Sequence, residues 1–392
     1  MTALQESLSD IRNSKVFSWR KFLPLTLFLA VNVAFVVRYA SRATSLWPLV
    51  SLLYVGAVAL ILWIVFRCEK IAAGKWMLWA VFAIGAVGVV VLQTYIDPYN
   101  IKVDRWSAIH NPLHDLLAGL YPYGAHTHLG GYGSPFPLWQ LFHLPFYLLG
   151  NVGLSIILAA GLYVDAMRRQ AGSVVAFLSV VMLYASPAFW YEVAVRSDML
   201  ANFLVVLAVI SYMCTCRLRL GTHLIIYACV CGMLLSSRLS VALPLAIFVF
   251  PAWIKEPLWR KTAFLLGALL IFLLTFAPLL IWGTAVFTSE LNPFVLQSRQ
   301  GNVADFLVFL PVGIWLALTW RSNVSRLWLH CALLLLLLVS GTFLHNYLVS
   351  PAWLKIFDLT YFNMALPFLI SAFTIATCGA TLSFNPQKTN DQ

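Results

Sequence analysis

"WPLVSLLYVGAVALILWIVF", residues 47–66, runs for twenty residues without a charge. The hydrocarbon core of a bilayer is about 30 Å thick, and an α-helix needs roughly 20 apolar residues to cross it. Inside lipid no water satisfies the peptide groups, so such a segment must be helical. Comparable runs lie at about 22–40, 76–95, 136–164, 172–190, 199–215, 222–237, 239–254, 262–282, 304–320, 327–348 and 359–379. The expected fold is therefore all-α: a polytopic membrane protein of about twelve transmembrane helices, within a range of 10 to 13. Two segments have a second reading. The run 136–164 is long and holds Pro137, Pro145 and Gly150, as a re-entrant piece followed by a span would. The runs on either side of Arg238 can also be read as one broken helix.

Composition agrees, because 61% of the residues are apolar and only 10% charged, against about a quarter charged in an ordinary soluble domain. Residues 1–384 read as one integral membrane domain and 385–392 as a disordered cytoplasmic tail. The first apolar run is span-length and follows a polar, basic stretch, so it reads as a retained anchor. With the amino terminus inside, seventeen of the 25 Lys and Arg fall in cytoplasmic positions with six carboxylates, and eight fall outside with eight carboxylates. The net charge of +11 is thus wholly on one side, as the positive-inside rule requires. Such dispersed basic loops suit anionic lipid headgroups, and no nucleic-acid partner is expected. The seven cysteines lie in spans or at their cytoplasmic ends, where disulfides are not expected.

The outer face carries the unusual chemistry. Its first large loop, about 96–135, contains Asp97, Asp104, Asp115, four histidines and several tyrosines. Within "VDRWSAIHNPLHDLLAGLYPYG" (103–124), Trp106, Ile109, Leu113, Leu116, Leu117 and Leu120 share one helical face. Asn111 before Pro112 fits an N-cap with proline in the first helical position, and Gly119 fits the helix end. The segment is expected to be an amphipathic helix on the membrane surface, its apolar face on bilayer or neighbouring spans. His110 and His114 stand at zinc-protease spacing, but the glutamate of that motif is replaced by Asn111. No metal site is assigned; a bound divalent ion stays an alternative to plain interfacial histidines.

Asp104 reads as a general base beside a membrane-level cavity. Asp97, just before Pro98, is the second candidate, with a turn-capping role as its alternative. Intramembrane arginines are costly and so point to function. Arg238 and Arg196 are the first candidates for binding a phosphate, and Arg299 is the third. Each has an ordinary ion pair as its alternative, for Arg196 with Asp198 or Glu192.

"DRWSAIHNPLHDLLAGLYPYG" followed by "YGSPFPLWQLFHLPFYLLG" resembles the first extracytoplasmic loop of bacterial GT-C glycosyltransferases, the mannosyltransferase-like families especially. There an acidic residue follows an early span, a surface helix ends in a turn like that of Gly119, Tyr121, Pro122 and Tyr123, and a proline-rich re-entry follows, here Pro135, Pro137 and Pro145. The likeness is local, about 50 residues. This loop follows the third expected span and not the first, and it lacks a paired aspartate motif. The resemblance implies a transferase in the bacterial plasma (inner) membrane. It would move a sugar from a polyprenyl-phosphate donor to a glycan, lipid or protein acceptor at the extracytoplasmic face, with Asp104 as base and no cofactor. Tyr121, Tyr123 and His128 are then the candidates for sugar or acceptor contacts. Two rivals are a transporter or flippase for a lipid-linked intermediate, which would need charges along a path through several spans, and an envelope glycan polymerase or ligase, which shares the same chemistry.

Overall fold

The computed structural model describes residues 19–67, 74–283, 292–298, 303–320, 323–349 and 359–378. Regular structure among them is helical, apart from isolated bridge residues, among them the pair His126 and Tyr132. Five helices are long and apolar enough to cross a membrane unaided: α1 (Trp19–Ala43), α2 (Trp47–Arg67), α3 (Lys75–Tyr95), α12 (Leu258–Trp282) and α15 (Val324–Val349). A sixth, Leu359–Thr377, starts as a 3-10 turn (Leu359–Ala365) and continues as α16 (Leu366–Thr377). Two bent pairs are apolar and long enough only when their halves are taken together. In the first, α5 (Pro137–Leu148) meets α6 (Ser155–Ala171) across a 112° bend; in the second, α7 (Ser173–Tyr184) meets α8 (Pro187–Ala194) across a 64° bend. The chain thus has six to eight apolar helices of membrane-spanning length among its described residues. Shorter apolar helices complete it: α9 (Met199–Thr215), α10 (Leu224–Leu235), α11 (Ala242–Trp253) and α14 (Val303–Thr319), with α4 (Ser107–Leu117) and α13 (Pro293–Ser298) in the connections.

The bends have local causes. Gly150 takes a positive φ of 85°, open to glycine at little cost, and Asn151 then caps the Gly153 amide at 3.0 Å, so α5 turns back into α6. The bend falls at the Gly150 singled out in the run 136–164. The run 172–190, read as one span, is instead cut at Ser186, whose hydroxyl accepts from the Phe189 amide at 3.2 Å with Pro187 in the first helical position. Around Arg238 the chain breaks between α10 and α11, with a 3-10 turn at Leu239–Val241.

Burial sorts the helices into centre and rim. Nearly every residue of α9 is buried, and α16 is covered on most sides. By contrast α2, α3 and α12 bury only 22% of their most apolar windows, so their Leu, Val, Ile and Trp side chains form the apolar exterior that lipid would cover. Charge sits at opposite ends of α6. Its last turns pair Asp165 with Arg168 at 2.8 Å and Arg169 at 2.6 Å. Gly153, just before its beginning and roughly 20 Å away at about 1.5 Å per residue, abuts Gln93 and Arg196.

Candidate functional site: a cationic cavity beside Asp104

The surface helix α4 forms where its apolar stripe finds partners. Trp106, Ile109 and Leu113 are buried with Val152, and Leu116, Leu144 and Tyr147 close over them. The stripe therefore rests mainly on the α5–α6 bend, while Leu117 and Leu120 remain exposed. The C-terminus is a Schellman turn. The Gly119 amide donates to Leu116 (3.3 Å), the Leu120 amide donates to Asp115 (2.8 Å), and Gly119 sits at φ 73°.

The start of α4 corrects the sequence reading. The helix begins at Ser107, not Pro112, and Pro112 lies inside it. Asn111 is no N-cap; its side-chain amide donates to the His126 carbonyl at 2.7 Å. Pro112 has no amide to offer the Ala108 carbonyl. That carbonyl is instead crowded by Gly133, where an added Cβ would come within 2.5 Å of it.

The earlier start places Asp104 at the mouth of the helix. Its own carbonyl accepts from the Ala108 amide at 2.9 Å. The half-buried carboxylate accepts from the Thr127 hydroxyl at 3.2 Å, and Gly131 leaves room beside it. Thr127 is held in turn by a tight loop: its hydroxyl accepts from the Gly131 amide at 2.9 Å, and Gly130 takes φ 81°. His128 ties this loop to α4, its Nδ1 at 2.7 Å from the Ser107 hydroxyl and its Nε2 at 3.1 Å from the Ile101 carbonyl.

Asp104 opens onto a cavity of about 1320 Å³. Arg38 and Arg42 of α1 and Lys102 and Arg105 of the loop line it with Asp104, the one carboxylate among the described lining residues. Tyr39, Tyr191, Phe343 and Tyr361 form aromatic walls, and Thr342, His345, Asn346 and Thr360 add polar groups. Arg105 donates to the Thr360 hydroxyl at 3.0 Å and lies 5.3 Å from the Tyr361 ring centre. Arg42 lies 5.5 Å from the Tyr39 ring, which meets Tyr191 at 5.4 Å. Arg38 is half-buried and its buried Nη1 has no hydrogen-bond partner among the described residues. Together these side chains offer positive charge suited to anions, flat aromatic faces, and one carboxylate able to accept a proton.

The other candidates lie elsewhere. Asp97 is an exposed cap, accepting from the Tyr99 amide at 3.0 Å and the Asn100 side chain at 2.9 Å. Arg238 is buried in an ion pair with Asp198, its Nε at 3.0 Å, and Trp139 donates to the same oxygen at 2.7 Å. Gln297 braces this break, its side chain accepting from the Leu239 amide at 2.6 Å and donating to the Ser134 carbonyl at 2.7 Å. Arg196 pairs with neither Asp198 nor Glu192; its guanidinium donates to the carbonyls of Gln93 (2.7 Å) and Ile96 (3.2 Å). That grip holds it at φ 49°, where the chain leaves α8. Arg299 lies outside the described residues. Tyr123 is buried and donates to the Pro135 carbonyl at 2.9 Å, and Tyr121 turns toward Trp282, with ring centres 5.9 Å apart. Neither tyrosine, nor His128, lines the cavity.

Four cavity cations, Arg38, Arg42, Lys102 and Arg105, were not singled out from sequence. The available signal was their position: Arg38 and Arg42 stand four residues apart at the end of the first span that the sequence is expected to place outside, where basic residues are disfavoured. His110 stacks on Trp106 at 4.5 Å, and burial pushes its imidazole below the ordinary value. Among the described residues no three His, Cys, Asp or Glu side chains gather as a metal site. Comparison of the chain with protein-family models, curated sequences and solved structures finds no match.

Proposed function

We propose that the chain is a membrane glycosyltransferase that moves a sugar from a polyprenyl-phosphate donor to an acceptor hydroxyl. On this reading about twelve segments cross a bacterial plasma membrane and the cavity faces the extracytoplasmic side. The observation that carries it is the meeting of one half-buried carboxylate with a set of cations and aromatic walls in a single large cavity at the end of the bundle. Those are the parts the reaction needs. The acceptor oxygen attacks the anomeric carbon, its proton passes to the Asp104 carboxylate, and the bond from that carbon to the phosphate oxygen breaks. The phosphate leaves carrying the developing negative charge, and a fixed guanidinium stabilises it. Arg38 suits that role, since its buried Nη1 has no hydrogen-bond partner among the described residues. The phosphate role expected of Arg238 and Arg196 passes to Arg38, because Arg238 is paired with Asp198, Arg196 gives its Nη2 to two backbone carbonyls, and neither of the two lines the cavity.

The test is transfer of radiolabelled sugar from a polyprenyl phosphate by purified protein without nucleotide. Asp104→Asn keeps shape and loses basicity, so turnover is expected to fall on the order of 10²-fold or more with donor binding kept. Asp97→Asn is expected to transfer normally. A stable Asp104→Asn protein with near-normal turnover would remove the base from this site.

A further inference from the structure

We infer that the acceptor is itself an anion, a molecule bearing a phosphate or carboxylate near the hydroxyl that receives the sugar. The inference rests on the glycosyltransferase reading and starts from the charge around the cavity. Arg105 is engaged with Thr360 and Tyr361, and its charge acts on the buried Glu192 carboxylate. Arg38, Arg42 and Lys102 remain, and none has a carboxylate within 4.0 Å among the described residues. Against these three stands Asp104. A polyprenyl phosphodiester brings one further negative charge, so among the described residues a cation is still unmatched when donor alone is bound.

Position divides the three. Arg38 is half-buried, whereas Arg42, one helical turn further along the same face of α1, is exposed, as is Lys102. The inner guanidinium suits the donor phosphate and the outer pair suits a second anion at the mouth. Volume points the same way: about 1320 Å³ exceeds the roughly 300–1,000 Å³ of ordinary single-ligand pockets. Two like charges one turn apart repel by about 0.2–0.5 kcal/mol in an isolated helix, a cost that an anion bound between them reverses.

The experiment uses the full chain in phosphatidylcholine nanodiscs loaded with undecaprenyl phosphate. Binding of a hexuronate trisaccharide is compared with that of its neutral hexose counterpart. The acidic sugar is expected to bind about tenfold tighter or more at low salt, with the preference largely screened near 1 M salt. Arg42→Gln with Lys102→Gln is expected to abolish the preference while undecaprenyl phosphate still binds, which also reports that the variant is folded. Equal binding of the two sugars overturns the inference, and so does displacement of undecaprenyl phosphate by the acidic sugar, since one anion site then serves both. If undecaprenyl diphosphate binds tighter than the monophosphate through Arg42 and Lys102 and blocks the acidic sugar, the second charge belongs to the donor and the inference fails. Loss of the preference when phosphatidylglycerol is added assigns the outer cations to a bilayer headgroup, which also overturns it. If undecaprenyl phosphate does not bind at all, the donor reading itself falls, a result separate from each of the others.

Discussion

Replacing Arg238 by Met separates a structural arginine from a ligand-binding one. The substitution keeps an unbranched chain of similar reach but leaves Asp198 buried with only the Trp139 indole N–H, at 2.7 Å, as a donor to its Oδ2. Breaking a buried pair by removing one partner costs about 3–5 kcal/mol. An independent bound comes from the escape open to the carboxylate, which is to take up a proton. From an ordinary aspartate value near 3.9, protonation near pH 7 costs about 4 kcal/mol, at about 1.36 kcal/mol per unit. The two figures agree, so Arg238→Met is expected to lose about 4 kcal/mol near neutrality. The proton count gives a second signature. The folded variant would hold one proton more than its unfolded chain, so its deficit should shrink as pH falls, by about 2.7 kcal/mol between pH 7 and pH 5. Arg238→Met with Asp198→Leu removes both charges and should recover most of the loss, less about 1–3 kcal/mol for the orphaned Trp139 N–H. The assay is reversible unfolding in mixed micelles across that pH range, beside sugar transfer. A variant as stable as the parent but unable to use donor would refute the reasoning and return Arg238 to the phosphate site.

Two other expectations follow from single residues. Gly232 lies where α10 crosses α12, and an added Cβ would come within 2.5 Å of the Ala268 carbonyl and 2.8 Å of Ile271 Cβ. Gly232→Ala should therefore cost about 1–3 kcal/mol through forced separation of the helices, read as a lower melting temperature; an unchanged one would mean the crossing yields freely. His110 has a depressed imidazole value caused chiefly by burial. Its neutral form thus contributes stability that is complete above the unfolded value near 6.5 and is lost as pH falls through the lower folded value. His110→Phe should flatten that acid-side loss in hydrogen exchange of α4, and an unaltered profile would assign the titration elsewhere.

What the sequence made legible follows the range of the forces involved. Apolar runs report their class directly, because a helix in lipid needs only its own backbone to satisfy its hydrogen bonds. Gly119 and Gly150 could be read as stops for a similarly local reason, since each occupies a positive φ that favours glycine. The start of α4 was misread because a local signal, Asn111 before Pro112, competed with a tertiary one: the Asn111 amide bonds His126 fifteen residues on, and Trp106 and Ile109 gain burial only if the helix begins earlier. The long-range partnerships were equally hidden. Arg238 and Asp198 lie forty residues apart, and Arg196 grips carbonyls about a hundred residues away.

The cavity cations show the same limit from the other side. Asp104 was legible because the surface helix and the third apolar run fix a carboxylate at the membrane margin within one stretch of chain. Arg38 is brought to it by the fold alone, through the wall of Tyr39 and Tyr191 and the ends of α1 and α15. Its one local mark is adverse: with Arg42 it places two positive charges on one face of α1, repelling each other at the end of a span that topology expects to be poor in them. Packing gives Arg42 the Tyr39 ring at 5.5 Å, and on the proposed reading a bound anion relieves the repulsion within the pair. A basic pair that opposes both the helix and the membrane rule is therefore a stronger pointer to a binding site than an arginine buried inside a span, because the buried one must already have found its counter-ion to be there.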